Sequence, residues 1–409
     1  MKKILFFLSV LAMMVVVGCS SPNTDSPKEE KKPETPTIPT EPETPTTPTE
    51  PETPATPTEP ETPATPPSTP AAYSAGDSAR ANISFGGVTY SKTGEVYVTG
   101  PNGATITGVA NTNNYPGVFI ADRNVTLSPY IMGKYEVTQQ LYTAVMTNQT
   151  VTVGETEYTL AASPFYCKET GSYPKATTDT QNLRPAEGFT WFDAVYFCNK
   201  LSEKMSLTPA YNITIATVSP VSTGSSIVYI TAATVSLVAN ANGYRLPTEA
   251  EWEFAARGGN PSAAAWNYFF SGADTADGYS HTARRNPGLD LVGWYGSNLG
   301  GGVTSSVSLS YGTPGYGTHE VGTKAENALH LFDMSGNVCE WCYDLYEESP
   351  ATGNATNPTG ATSGDERVLR GGGYRSFANF CNVCCHYDSK YFPGNNDPAV
   401  GFRVVRNAN

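Results

Sequence analysis

A run of prolines between residues 34 and 70 limits where this chain can fold. The nine-residue unit ETPTIPTEP recurs as ETPTTPTEP and ETPATPTEP, and then as ETPATPPSTP. Proline lacks an N–H donor and fixes φ, so the repeat excludes helices and sheet ladders and favours polyproline II. The repeated glutamates repel one another and keep the segment extended, with a reach on the order of 100 Å. We therefore predict a linker over residues 19–72 and one folded region over residues 73–409.

The amino terminus has the pattern of a secretory signal peptide over residues 1–18. Lys2 and Lys3 precede an apolar stretch at residues 4–17 that is too short for a stop-transfer helix. The following Val-Val-Gly-Cys quartet resembles a bacterial lipobox, which implies acylation of Cys19 and a membrane partner through that lipid anchor. The alternative is an ordinary secreted protein.

The net charge argues against one class of partner, and the residue after Cys19 indicates a location. The chain has 409 residues and a formal net charge of −13, which argues against nucleic acid. We find no other segment apolar enough to span a membrane. Ser20, rather than an aspartate, follows the lipidation site, and with the long linker this favours the outer membrane and cell surface.

After residue 73 we predict short strands, many loops and a few helices. Thr190 with Asp193, and Thr248 with Glu251, have the capping-box spacing, and Thr138 opens a third helix. The second helix presents one apolar face, listed as Ala194, Val195, Cys198 and Leu201. Cys198 is therefore interpreted as a core residue rather than a nucleophile.

Six motifs follow one another in an order that resembles the family of the formylglycine-generating enzyme. They are YEVTQQ at 135–140, RPAEGFTWFDAVYFCNKLS at 184–202, YRLPTEAEWEFAARGG at 244–259, LFDMSGNVCEW at 331–341, RVLRGGGY at 367–374 and GFRVVR at 401–406. The resemblance covers residues 118–406. It implies an α+β fold of the C-type-lectin type, with short antiparallel strands, few helices and much irregular structure.

The catalytic residues of that family are only partly matched. Its enzymes bind copper and substrate through a Cys-x4-Cys pair after an Arg-Gly-Gly-Ser motif, and a soft Cu(I) ion suits two thiolates. Cys381 matches the first cysteine, but the second position is His386, preceded by Cys384 and Cys385. Cys381 with Cys385 or His386 is the alternative catalytic or metal site, and a zinc cluster of all four is disfavoured because adjacent side chains diverge. We expect no enzymatic activity.

Calcium is the other ligand that the resemblance implies. The loop containing Asn337, Val338 and Glu340 resembles a calcium-binding turn built from carbonyls and one carboxylate. In the alternative interpretation, Glu340 only hydrogen-bonds its own loop. We expect no other cofactor.

A secreted location favours disulfides. The cysteines remaining after acylation of Cys19 are Cys167, Cys198, Cys339, Cys342, Cys381, Cys384 and Cys385. Their number is odd, so at least one is expected to be free or to pair outside the monomer.

Residues 374–400, here called the variable segment, resemble the corresponding part of the variable proteins of diversity-generating retroelements. These proteins have the same lectin-like fold and carry a mutated segment between Arg-Gly-Gly-Ser-like and Gly-Phe-Arg-Val-Val-like borders. Ala378 and the Cys-Asn-Val triplet at 381–383 match the fixed positions of such segments. Seventeen other positions of the segment are predicted to bind ligand, and they are Tyr374, Arg375, Ser376, Phe377, Asn379, Phe380, Cys384, Cys385, His386, Tyr387, Asp388, Ser389, Tyr391, Phe392, Asn395, Asn396 and Asp397.

The permitted residue types test this resemblance. Randomised adenines in an asparagine codon never produce Trp, Met, Gln, Glu or Lys, and between Arg375 and Ala399 the single departure is Lys390, which needs a different template codon. Aromatic, Arg and Asn side chains are typical of antibody-like binding surfaces. The sequence thus predicts a lipid-anchored surface protein that binds a protein or glycan ligand. The alternatives are a formylglycine-generating enzyme, an invariant structural lipoprotein, or an irregular aromatic core segment.

Overall fold

The computed structural model describes residues 73–100, 106–107, 117–274, 285–296, 298, 312–385 and 390–408. The chain divides into two units, Met1–Ser68 and Thr69–Asn409, and all described residues belong to the second. Cys19 and the proline-rich linker therefore lie outside the described residues.

The described residues form four α-helices and seventeen strands. The helices are α1 (Gln139–Met146), α2 (Trp191–Lys204), α3 (Glu249–Ala256) and α4 (Pro287–Val292). The strands are β1 (Ser78–Arg80), β2 (Ile83–Phe85), β3 (Val88–Tyr90), β4 (Glu95–Val98), β5 (Ile106–Thr107), β6 (Arg123–Thr126), β7 (Tyr130–Gly133), β8 (Thr150–Val153), β9 (Thr156–Leu160), β10 (Tyr211–Pro220), β11 (Ile227–Leu237), β12 (Cys339–Leu345), β13 (Gly353–Thr356), β14 (Arg367–Arg370), β15 (Lys390–Tyr391), β16 (Val400–Gly401) and β17 (Val405–Asn407). The predicted α+β class is confirmed.

The strands form several small sheets. Three have four strands each, in the orders β1-β4-β7-β17, β10-β11-β9-β8 and β15-β14-β12-β16. A three-stranded sheet, β13-β6-β5, and the β2-β3 hairpin complete the set. The β10 and β11 strands are ten and eleven residues long, so the prediction of short strands is wrong there. Their alternating Thr, Val and Ile residues suit a strand with one packed face.

The three predicted helix starts are confirmed. The Thr190 side chain accepts from the backbone of Asp193, and the Asp193 carboxylate accepts from the backbone of Thr190. Thr248 and Glu251 form the same reciprocal pair at α3. Thr138 accepts from the amide of Leu141 at α1, at 3.4 Å. Capping residues that the sequence already specifies therefore fix where each of these helices begins.

Two main hydrophobic clusters form the core. The predicted apolar face of α2 lies in the first cluster, together with residues of α1 and of the sheet containing β11. The second surrounds Trp252 of α3 and includes Phe119 and Trp266, whose rings are 5.2 Å apart. Across the ranges described above, no helix combines the length and apolar character needed to cross a membrane.

Candidate functional site

Both ends of the variable segment are held against one strand, β12. The segment follows β14, which pairs with β12 antiparallel, and it ends at β16, which pairs with β12 in parallel. Glu340 is opposite Arg370 on one side and Gly401 on the other. The variable segment is therefore a long loop whose base is closed by a ladder on each side of the same strand.

A buried arginine secures the start of this loop. Arg370 Nη2 is 2.6 Å from Glu253 Oε2, and Nη1 is 3.2 Å from Glu249 Oε1. Its guanidinium also donates to the carbonyls of Val383 at 2.8 Å and Cys385 at 2.9 Å. Because this side chain is fully buried, these charge-assisted bonds hold the inner turn of the loop in place.

A second buried arginine secures the end. Arg403 Nε and Nη2 bind the two carboxylate oxygens of Glu340, each at 2.7 Å, and Trp252 Nε1 donates to the same carboxylate at 2.8 Å. Arg403 also donates to the carbonyls of Gly133 and Phe332. Charge and hydrogen-bonding capacity are thus matched inside the core, as a buried ion pair requires.

These contacts test the proposed calcium loop. Glu340 gives its oxygens to Arg403 and Trp252. Asn337 uses its side chain to bind Glu136 at 2.7 Å and the amide of His319 at 2.9 Å, and Val338 donates to Glu136 at 3.0 Å. The guanidinium of Arg403 lies beside Glu340, the only carboxylate among residues 337–340. Its positive charge would repel a divalent cation bound there. The residues do not fit a calcium ion in this arrangement. The described bonds of the Glu340 carboxylate also differ from the alternative interpretation, because they run to Arg403 and Trp252 and not to its own loop.

The predicted fixed positions lie inside the protein. Ala378 and Cys381 lie on a 3₁₀ turn, Ala378–Cys381, and pack with Leu289 and Tyr295 in a third hydrophobic cluster. Val383 is buried and its amide donates to Phe269 at 3.0 Å. These positions have packing roles that a random side chain would not satisfy.

Most predicted ligand-binding residues that are described reach the surface. The exposed ones are Arg375, Phe377, Phe392 and Asn395, and the half-buried ones are Ser376, Asn379, Phe380, Tyr391, Asn396 and Asp397. Phe377 is 54% exposed and Phe392 53% exposed. Aromatic rings this exposed contribute little to packing in the core. Exposed aromatic side chains are typical of interaction surfaces.

The structure places three of the predicted binding residues inside instead. Tyr374, Cys384 and Cys385 are buried. The Tyr374 ring packs 6.0 Å from that of Tyr173. Asn382 Oδ1 accepts from the Cys384 amide at 2.8 Å and contacts its sulfur at 2.9 Å. Asn382 and Arg370 hold the turn at 382–385 inward, which keeps Cys384 and Cys385 off the exposed surface. Tyr374 is buried in a separate cluster with Cys167 and Ala399. His386, Tyr387, Asp388 and Ser389 lie outside the described residues.

Lys390, which departs from the expected codon set, makes framework contacts. It pairs with Val368 in the β14–β15 ladder, and its Nζ is 3.0 Å from Glu366 and 4.9 Å from the ring centre of Tyr346. Its side-chain contacts with Glu366 and Tyr346, both outside the variable segment, agree with a template codon outside the randomised set.

Most of the thiols lie in different parts of the core. Cys198, Cys342, Cys381 and Cys167 each belong to a different hydrophobic cluster, and these four and Cys339 are free thiols. The prediction of disulfides is therefore wrong for these five, although Cys381 lies close enough to Cys339 and Cys385 that, in addition to burial, their charges raise its pKa. Burial raises the pKa of the Cys339 thiol to about 12 and that of Cys381 well above its usual value. Such thiols resist forming the thiolate that a nucleophile or metal ligand needs.

A groove that the sequence did not predict lies beside the variable segment. Its cavity measures about 840 Å³ and is lined by residues 147–148, 159–166, 168, 170–173, 221, 227 and 229. We call it the tyrosine groove, after Tyr166, Tyr173 and Tyr229. The tyrosines and the β-branched runs were visible in the sequence, but only the fold brings the loop at 161–173 next to the β10–β11 hairpin.

Comparison with known proteins agrees with this architecture. The sulfatase-modifying factor enzyme 1-like domain (FGE-sulfatase) matches residues 87–408. The chaperone protein LppX of Paenibacillus barcinonensis is 32% identical over 70% of this chain and 83% of its own length. The formylglycine-generating enzyme of Thermomonospora curvata is 36% identical over 34% of this chain and 41% of the enzyme.

A solved structure supports the second resemblance as well. Treponema denticola variable protein 1, TvpA, superimposes with a TM-score of 0.56 and 29% identity, over 80% of this chain and 98% of its own. The predicted likeness to this variable protein and the C-type-lectin-like fold are confirmed. With a domain match over most of its length, this chain belongs to the sulfatase-modifying factor enzyme 1-like (FGE-sulfatase) family.

Proposed function

We propose that this protein is a lipid-anchored binding protein that displays a diversified patch on a C-type-lectin-like scaffold. One observation carries the proposal: within the described part of the variable segment, predicted fixed positions are buried and most predicted variable positions are exposed or half-buried. Surface side chains can change with little effect on folding, whereas core side chains cannot. Tyr374, Cys384 and Cys385 are the exceptions.

The patch consists of the exposed and half-buried predicted binding residues of the variable segment, and its composition supports a binding role. Seven large hydrophobic side chains are exposed among the described residues, and two of them, Phe377 and Phe392, belong to this one short segment. Arg375 forms an ion pair with Asp397 across the patch and lies 5.7 Å from the Tyr374 ring centre. Aromatic and arginine side chains supply most of the energy at protein interfaces. The relative named as a chaperone, LppX, supports a polypeptide rather than a reaction substrate.

The enzymatic alternative has less support. Family membership alone does not determine activity, because activity depends on the site. Here Cys381 is buried among apolar side chains, the second cysteine position is His386, and burial disfavours the Cys381 thiolate. We expect no oxidation of a sulfatase-motif peptide by copper-loaded protein, and turnover of that peptide would overturn this part of the proposal.

The lipid anchor and the location at the outer surface rest on the signal pattern, Cys19 and the linker. Metabolic labelling with a fatty-acid analogue tests the anchor, because Cys19→Ser should abolish incorporation. Protease treatment of intact cells tests surface display.

The genomic locus tests the diversification. The proposal requires an asparagine-rich near-copy of the 3′ coding sequence close to a reverse transcriptase gene. A complete locus that contains neither would contradict it.

A further inference from the structure

The tyrosine groove combines an apolar floor with exposed apolar walls. Leu160 and Phe165 are buried at its base, while Tyr166 is 43% and Ile227 is 42% exposed. Together with Phe377 and Phe392, these two account for four of the seven exposed large hydrophobic side chains among the described residues. Exposed apolar side chains beside a cavity are typical of an interaction site.

Backbone contacts join this groove to the variable segment. Gly188 is the link, since its amide donates to the Asp397 carbonyl at 3.2 Å and its carbonyl accepts from Asn396 Nδ2 at 3.5 Å. The Tyr166 ring covers Gly188 so closely that a Cβ there would lie 2.7 Å from Tyr166 Cδ2. The half-exposed ring of Tyr166 is thus positioned by the same peptide that holds residues 396 and 397.

The wall of the groove that β11 forms also lies close to the variable segment. Tyr229 lies near enough to the side chain of Asn396 for that side chain to affect the pKa of Tyr229. Gly394 lies against β11, where a Cβ would approach the Thr231 carbonyl to 2.5 Å. Tyr173 packs against Tyr374, the first residue of the variable segment. The groove therefore lies next to the variable segment, and all of its lining residues come from outside that segment.

The charge of the lining residues limits which ligands the groove can accept. Lys168 is the single formally charged residue among those lining the groove, although the chain carries −13 overall. In the patch, Arg375 and Asp397 neutralise each other. A neutral or acidic segment is therefore not repelled here, and an apolar floor rewards burial of aliphatic or aromatic side chains at roughly 25 cal/mol per Å².

We propose that the tyrosine groove is the constant half of the ligand-binding site and that it accepts an apolar side chain of a polypeptide partner. The variable segment then selects among partners by its contacts around that anchor. This inference rests on the proposed binding function, which it deepens by assigning the ligand class and two invariant contact residues, Tyr166 and Ile227.

A phage-displayed library of random peptides, panned on the full chain, is the probe. Groove variants Tyr166→Ala and Ile227→Ser are compared with the patch variant Phe392→Ser and the control Val88→Ser. Val88 is 51% exposed on the β2–β3 hairpin, so the control removes a matched exposed side chain elsewhere. Circular dichroism and thermal melting establish that each variant is folded.

The expected result is a set of peptides with a shared aromatic or aliphatic position that lose about tenfold or more in affinity on both groove variants and on Phe392→Ser, but not on Val88→Ser. Peptides that are sensitive to Phe392→Ser alone would overturn the groove inference and leave the proposed function standing. Peptides insensitive to all three would contradict both. Failure to enrich any peptide, together with binding on a glycan array, would overturn the polypeptide assignment while supporting a binding protein.

Discussion

Two arginines near the ends of the variable segment occupy opposite environments. Arg403 lies just beyond the segment, is fully buried, and binds both oxygens of Glu340. Arg375 lies just inside it, is 37% exposed, and pairs with Asp397 in the same segment. The first arginine holds elements from distant parts of the chain together, whereas the described ion pair and ring contact of the second stay within its own loop. A scaffold with this division can accept new surface residues without losing its fold.

Removing Arg403 should have the largest effect on stability. Arg403→Met leaves the Glu340 carboxylate buried with Trp252 as its remaining partner and frees the carbonyls that Arg403 binds. An uncompensated buried charge of this kind costs about 3–5 kcal/mol. Chemical denaturation measures it, with Arg375→Met as the matched control. Equal losses for the two variants would contradict the division between scaffold and patch.

Gly372 tests the turn that opens the variable segment. Its φ is +66°, and a Cβ there would lie 2.8 Å from the Phe380 carbonyl and 2.9 Å from the Cys381 sulfur. Gly372→Ala is expected to cost about 1–3 kcal/mol, since both backbone strain and crowding oppose it. Gly86→Ala on the β2–β3 turn separates the two causes, because Gly86 has φ +59° but open space around its Cβ position. A Gly372 cost no greater than the Gly86 cost would contradict the predicted crowding.

The stability of the groove wall should depend on pH through Glu187. Its carboxylate accepts from the amides of Cys167 at 2.8 Å and Tyr166 at 3.2 Å. Burial raises the pKa of Glu187 from 4.5 to about 8. Between these values the folded state keeps a proton that the unfolded state releases, so the free energy of unfolding should fall as pH rises.

Glu187→Gln removes this titration. Between pH 5 and 8 the wild type should lose stability more steeply than the variant, by up to about 1.4 kcal/mol per pH unit. Asp193 and Asp333, whose pKa values burial raises to about 6, titrate in both proteins and cancel in the comparison. Parallel pH profiles from denaturant titrations would contradict the assignment to Glu187.

The smallest effect is expected in the patch itself. Phe377→Ser and Phe392→Ser remove exposed rings, so each should change the free energy of unfolding by less than about 0.5 kcal/mol. Val383→Ser, which places a hydroxyl in the core of the same segment, is the contrasting variant and should cost more than 1 kcal/mol, by order of magnitude. A patch variant that destabilises as much as Val383→Ser would support the alternative of an irregular aromatic core.

Local rules predicted the parts of the fold that local residues determine. Capping pairs such as Thr190 with Asp193 located the helices, and ordered motifs led to the family. Burial within the variable segment was less predictable. Cys384 faces inward because Asn382 and Arg370 hold its turn, and no pattern among residues 382–385 reveals the distant partners of Arg370.

The groove was also beyond sequence reasoning, for the same physical reason. Tyr166 and Ile227 are far apart in the chain and meet only because β9 pairs with β11 in parallel. The partners of Glu340 were not predictable for the same reason. The parallel pairing of β12 with β16 brings Arg403 to Glu340. Long-range pairings of this kind leave no local periodicity.

Sequencing the coding region of this protein from many isolates tests the central claim most directly. The account predicts that substitutions concentrate at the exposed positions of the variable segment, including Arg375, Phe377 and Phe392. Ala378, Cys381 and Val383, together with the tyrosine groove, should stay constant. An even distribution of substitutions along the chain, or an invariant patch, would contradict it.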